Sequence, residues 1–173
     1  MRYPVLVGLM GCGKSSIGRR VAAELQCSLL DLDSQIVAQE GRTIPEIFAA
    51  DGEEYFRDLE SEVLRAALEK RAVIATGGGV VLREANRQLL KRYSPVIWLK
   101  APPKFLARRI AGDSNRPLIA QGDTLQHLQQ LAKTRHPLYR ECADYVIARG
   151  EMKKRQVLAA IMEILAASDP TVS

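Results

Sequence analysis

Apolar residues along this chain follow two periods. Short runs centred on apolar residues occur at residues 5–8, 28–31, 72–76, 96–99 and 144–148. Runs of this length suit strands buried on both faces of a parallel sheet. Between them apolar residues recur at helical spacing: Ile17, Val21 and Leu25; Phe56, Leu59, Val63 and Ala66; Leu125, Leu128 and Leu131; Val157, Ile161, Ile164 and Leu165. This alternation predicts an α/β fold with helices on both faces of the sheet. Ligands in such sheets sit beyond the carboxyl ends of the strands, so residues just after each strand are site candidates.

Two segments break the rhythm. Residues 35–52 carry Gly41, Pro45 and Gly52 and predict short helices in a side lobe. Residues 112–122, GDSNRPLIAQG, form a glycine-bounded loop around Arg116-Pro117. A loop of that length inside a compact domain is usually functional or disordered. The polar tail, 168–173, is predicted to be disordered. One domain over residues 1–173 accounts for the length, with ~70% of the unfolded surface buried on folding.

The first apolar run has two incompatible readings. RYPVLVGLMGCGKSS could open an exported, lipid-anchored protein or run a buried strand into a phosphate-binding loop. A secretory signal needs an apolar stretch of about 7–15 residues. Here Gly8 interrupts the run, and Lys14, Arg19 and Arg20 follow at once. The second reading matches every fixed position of G-x-x-x-x-G-K-[ST], from Gly8 through Gly13, Lys14 and Ser15. Glycines let successive backbone N–H groups curl inward, and the following helix adds its partial positive N-terminus. Lys14 reaches the outer phosphates, and the Ser15 hydroxyl suits Mg²⁺. The loop predicts binding of a nucleoside triphosphate.

Charge and cysteine content narrow the setting. The net charge of +5 suits a protein that handles anions. Apart from Lys153-Lys154-Arg155 the basic residues are scattered, and no aromatic cluster lies among them, so a nucleic-acid stacking platform is not expected. Cys12, Cys27 and Cys142 are odd in number and widely spaced. That argues against a disulfide framework or zinc site and for a reducing, cytoplasmic compartment. Cys12, in the phosphate loop beside Lys14, reads first as a small residue that fits the curl; the rival reading is a reactive thiol whose labelling ATP would block.

Beyond the second and third strands lie further candidates. Asp31-Leu32-Asp33 ends the second strand, and strand alternation would send both carboxylates to one side. One would complete a Mg²⁺ site with Ser15; the other would face an acceptor hydroxyl. Thr76-Gly77-Gly78-Gly79 ends the third strand, and three glycines imply a close approach to the backbone. Arg57 lies at the edge of its helix's apolar stripe, and Arg135 closes a helix before His136-Pro137. With Asp33 they form a polar set able to hold a small carboxylate-bearing polyol, since arginine grips carboxylates in a two-pronged geometry.

From residue 5 to 144 the chain resembles the shikimate kinases of the nucleoside-monophosphate-kinase-like P-loop fold. The matching segments, in order, are GLMGCGKSSIGRRVA, DLDSQI, GRTIPEIFAADGEEYFRDLE, ATGGGVV, VIWL, RPL and RHPLY. The resemblance implies a three-layer fold with a five-stranded parallel sheet of order 2-3-1-4-5, a substrate-binding lobe at about 33–60 and a lid at about 112–124. It implies ATP-dependent, Mg²⁺-dependent phosphorylation of the 3-hydroxyl of shikimate, by a monomer acting without nucleic acid or membrane. Gly11, Cys12, Gly13, Lys14, Ser15 and Ser16 would cradle the ATP phosphates, with Arg109 stacked on adenine. Ser15 and Asp31 would serve Mg²⁺. Asp33, Arg57, Arg135 and the Gly77, Gly78 and Gly79 backbone would hold shikimate. Lys14, Asp33 and Arg116 would act in catalysis, Arg116 from the lid. No residue between 150 and 153 matches the family's adenine contact. Two rivals stand beside this reading: a gluconate kinase-like enzyme of the same fold, and a non-catalytic nucleotide-dependent binding module.

Overall fold

The computed structural model describes residues 2–93, 95–111, 121–150 and 152–168. Arg116, residues 112–120 of the expected lid, and residues 169–173 of the tail lie outside the described residues. Five strands, β1 (Val5–Val7), β2 (Ser28–Asp31), β3 (Ala72–Ala75), β4 (Val96–Lys100) and β5 (Tyr145–Ala148), form one parallel sheet. Their order is β2-β3-β1-β4-β5, as expected. Central β1 pairs Val5 with Ile74 on one side and Val96 on the other. All of β1 and β3 and the first four residues of β4 are buried. Helices cover these strands on both faces, which is why their sequences carry no polar alternation.

Seven helices are described: α1 (Lys14–Leu25), α2 (Leu32–Glu40), α3 (Ile44–Leu68), α4 (Glu84–Arg92), α5 (Pro103–Ala111), α6 (Gln121–Cys142) and α7 (Lys154–Ala167). Ile17 and Val21 of α1, Leu64 of α3, Trp98 of β4 and Ile161 of α7 all belong to one core cluster. Helices α4 and α5 lie outside the helical patterns read from the sequence, although each buries one face. Each has nine residues, and the buried positions of α4 are only Asn86 and Leu90.

Local geometry departs from the sequence reading at three places. The buried stripe of α3 is Phe56, Leu59, Glu60, Val63, Leu64 and Ala67, so Ala67 rather than Ala66 faces the core. Position 67 continues the alternating three- and four-residue steps, whereas 66 drifts off the face. Arg135 does not close a helix, because α6 runs through Pro137 to Cys142. Pro137 removes one N–H without ending the helix, whose next turn packs Tyr139 against Trp98 of β4 at 5.7 Å between ring centroids. Finally, β2 stops at Asp31 and α2 begins at Leu32, so the Asp31-Leu32-Asp33 triplet is not extended.

α3 is also broken internally. Gly52, at φ 86° and ψ 172°, kinks it ahead of the buried stripe that begins at Phe56. The strands all run the same way. The turns after β1, β2, β3 and β5 therefore open at one edge of the sheet, where the chemistry-bearing residues collect.

Candidate active site

Just after β1 the backbone curls through the glycine loop into α1. Gly13 is the N-cap of α1, at φ 96°, a left-handed conformation that glycine adopts without strain. Lys14 is buried, and its Nζ spans the curl, donating to Gly8 O at 2.5 Å and Leu9 O at 3.1 Å. Cys12 is fully buried and lies 3.8 Å from that nitrogen through its Sγ. Burial denies the thiol the access that labelling requires, so of the two readings of Cys12 the structure favours packing.

Ser15, in the first turn of α1, donates a short hydrogen bond from Oγ to Asp31 Oδ2. The other carboxylate oxygen of Asp31 caps α2, accepting from Ser34 N at 3.1 Å. Asp31 is thus an N-cap, and Asp33 stands in the first helical turn. Their carboxylates line the same cavity because a strand-to-helix switch turns the chain there, not because of strand alternation. Leu32 between them is fully buried.

The glycine run after β3 is where four side chains meet. A Cβ on Gly77 would lie 2.8 Å from Asp33 Oδ1 and 3.0 Å from Glu60 Oε2. One on Gly78 would lie 3.3 Å from Arg135 Nη1, and one on Gly79 would overlap the Arg57 guanidinium. At Gly77 and Gly79 a side chain would force its neighbours to shift, and at Gly78 the fit is tight, the close approach to the backbone that the sequence reading expected. Arg57 is fixed from two directions: Nη1 donates to Glu60 Oε1 at 2.8 Å, and Nε donates to Glu53 Oε1 at 3.4 Å. Glu60 is 1% exposed. Burial pushes its carboxyl up from the ordinary range, against the pull of Arg57.

Two further anchors escaped the sequence reading. Tyr139 is fully buried, donates to Gly78 O at 2.5 Å and shares a side-chain hydrogen bond with Arg135, one turn earlier on α6. Burial raises its hydroxyl pKa, so it remains a donor. Glu60 and Tyr139 both lie in segments that carried the family resemblance, FRDLE and RHPLY, but nothing local marked their roles.

The loop, carboxylate, glycine and arginine groups line one cavity of about 600 Å³. Its walls include Gly11, Gly13, Lys14, Ser15 and Ser16 from the loop side. Asp31, Asp33, Arg57, Glu60, Gly77, Gly78, Gly79 and Arg135 lie on the other side, with Phe48 and Phe56 as an apolar wall. Arg109 lines it too, and also lines a neighbouring basic cavity of about 570 Å³ with Phe105, Arg108, Arg149, Met152, Lys153 and Lys154. Every described residue expected at the site is thus brought to this edge, with Cys12 packed behind the loop. A phosphate cradle and a carboxylate-flanked, arginine-lined pocket share one space, an arrangement suited to phosphoryl transfer between a nucleotide and a small polar acceptor.

Among the described residues no group of three or more His, Cys, Asp or Glu could hold a metal ion. Ser15 and Asp31 nonetheless present hard oxygen atoms side by side. That fits Mg²⁺, which takes one or two protein oxygens and completes its shell with water and nucleotide phosphates.

The family model described as shikimate kinase matches residues 10–166. A shikimate kinase of Symbiobacterium thermophilum is 46% identical over 164 residues, covering 93% of this chain and 94% of that protein. The solved structure of shikimate kinase from Acinetobacter baumannii in complex with shikimate superposes with a TM-score of 0.91 at 37% identity, covering 98% of this chain and 96% of that one. A gluconokinase from Sinorhizobium meliloti shares the fold at a TM-score of 0.56 and 16% identity, with 97% of each chain covered.

Proposed function

Because the chain belongs to the shikimate kinase family, ATP-dependent kinases that phosphorylate an alcohol, we propose that it transfers the ATP γ-phosphoryl group to the 3-hydroxyl of shikimate in the cavity between the glycine loop and Arg57. The observation that carries this is the convergence of Asp33, Glu60, Arg57 and Arg135 on three successive glycines facing a phosphate loop.

The roles follow from chemistry at each position. Backbone N–H groups from Gly11 to Ser16 and the α1 N-terminus hold the phosphates. Lys14 exchanges its loop carbonyls for phosphoryl oxygens. Ser15 and Asp31 would hold Mg²⁺, which supplies charge neutralisation to the outer phosphates when bound. Asp33 accepts the proton of the attacking hydroxyl, or orients it, from the first turn of α2. Arg57 and Arg135 take the acceptor carboxylate, with Glu60 and Tyr139 fixing their guanidinium planes. Arg109 packs on the adenine. Arg116 contributes positive charge at the transferring group from the segment 112–124, which serves as a lid, and residues 33–60 act as the acceptor lobe.

The enzyme is proposed to act as a monomer. No helix among the described residues is long and apolar enough to cross a membrane. Separately, three free cysteines suit a reducing, cytoplasmic compartment. A coupled ADP-release assay offering shikimate, quinate and gluconate tests the reading. Shikimate should give the highest kcat/KM, and an equal or higher value for gluconate would move the enzyme to the rival acceptor.

A further inference from the structure

Arg149, immediately after β5, is 2% exposed, yet its guanidinium meets main-chain carbonyls. Nε donates to Cys12 O at 3.3 Å across 137 residues of sequence, and Nη1 donates to Met152 O. The guanidinium lies 5.4 Å from the Phe105 ring centroid, the same ring that carries Arg109 at 5.7 Å. Both arginines reach the phosphate loop: a Cβ on Gly13 would lie 3.7 Å from Arg149 Nε and 3.8 Å from Arg109 Nη2.

Burying a guanidinium against neutral carbonyls and beside a second guanidinium is costly. Burial, followed by the charge of Arg109, shifts Arg149 toward deprotonation without bringing it near neutrality. What the placement achieves is control of one peptide plane. A trans peptide holds its C=O and N–H antiparallel. With the Cys12 carbonyl held on Arg149, the Gly13 N–H points away from Arg149, to the opposite side of the loop. Gly13, at φ 96° with no side chain, would otherwise leave that peptide free to flip.

We propose that Arg149 is a positioning residue for the nucleotide: its fork locks the Cys12–Gly13 peptide so that the Gly13 N–H is presented to the phosphates. It acts on the polyphosphate, through the loop, and leaves the acceptor pocket untouched. The proposal rests on the kinase reading above. It predicts that the nucleotide base is irrelevant to the effect, because the locked donor faces phosphate.

The test is calorimetric titration of wild-type and Arg149→Met protein with Mg²⁺-ADP and with inorganic tripolyphosphate, which has no base. Losing one charge-assisted amide–phosphate hydrogen bond should weaken both ligands by the same factor, about tenfold. Shikimate affinity should stay within about twofold. Unchanged binding of both anions overturns the proposal. A loss confined to ADP overturns it too, since Arg149 would then act on the base, and so does an equal loss of shikimate affinity, which marks general damage. If the methionine variant does not fold, Arg149→Lys keeps the charge without the Nε donor and should show the same paired loss; full recovery by lysine overturns the role of the fork. Failure of the wild-type protein to bind ADP or phosphorylate shikimate would instead remove the kinase reading, and is measured separately.

Discussion

Gly79→Ala tests the proposed Arg57 contact to the acceptor with a single methyl group. The backbone at Gly79 sits at φ −92° and ψ 8°, open to alanine, so no backbone strain accompanies the change. The new Cβ would lie 2.6 Å from Arg57 Nη2 and 2.7 Å from Cζ. Arg57 Nη1 would be nearer still, and ordinary contact begins at 3.4 Å, so the guanidinium must retreat. Arg57 is held by Glu60 at 2.8 Å, and Glu60 is buried, so the retreat cannot be absorbed by tilting about a loose partner. Losing one of two hydrogen bonds to a carboxylate costs about 1.5–3 kcal/mol. Shikimate KM should therefore rise about 10- to 100-fold at saturating ATP, with ATP KM unchanged. A coupled ADP-release assay reads both constants, and Arg57→Ala completes a double-mutant cycle. Once Arg57 is gone the alanine should add little. A wild-type shikimate KM in Gly79→Ala, or additive losses in the double variant, would refute the claim that this glycine exists to admit Arg57.

Other expectations follow from the same geometry. Asp33→Asn should lower kcat by about 10²–10⁴ while ADP affinity, read by titration, holds near wild type. Ser15→Ala removes a hydroxyl oxygen beside Asp31, and the Mg²⁺ concentration for half-maximal activity should rise about tenfold; an unchanged Mg²⁺ dependence would take Ser15 out of the metal site. His136 packs 5.0 Å from the Trp98 ring, and burial, then the charges of Lys100 and Arg140, lower its pKa below the ordinary 6.5. Its neutral form is favoured in the fold, so its contribution is present above pH 6.5 and is lost as pH falls through the depressed value. Thermal melts from pH 7.5 to 5 should show a smaller acid loss of Tm in His136→Gln than in the wild type.

The glycine loop was legible because everything it needs is local: strand, curl, lysine, hydroxyl and helix follow within twenty residues. The sheet order came through family resemblance, and periodicity supplied the alternation. The Asp31-Leu32-Asp33 triplet reached the correct cavity for the wrong reason, since a buried Leu32 reads alike at the end of a strand and the start of a helix. Glu60, Tyr139 and Arg149 were not legible. Glu60 sits on the buried stripe of α3, where sequence pattern anticipates an apolar residue, and only Arg57 one turn earlier accounts for it. Tyr139 reaches Gly78 across 61 residues and Arg149 reaches Cys12 across 137, distances over which pattern carries no signal. Ala66 and Arg135 were misplaced by a residue or a boundary, where periodicity is weakest.

The most direct test of the account is the position of the transferred phosphate. Shikimate, ATP and the enzyme are incubated to completion, and the product is resolved by ³¹P–¹H correlation NMR. The account predicts a single phosphate ester on the 3-hydroxyl, because the carboxylate held by Arg57 and Arg135 fixes which hydroxyl faces Asp33. Phosphate on another hydroxyl, or ADP and free phosphate without a phosphorylated acceptor, would contradict it.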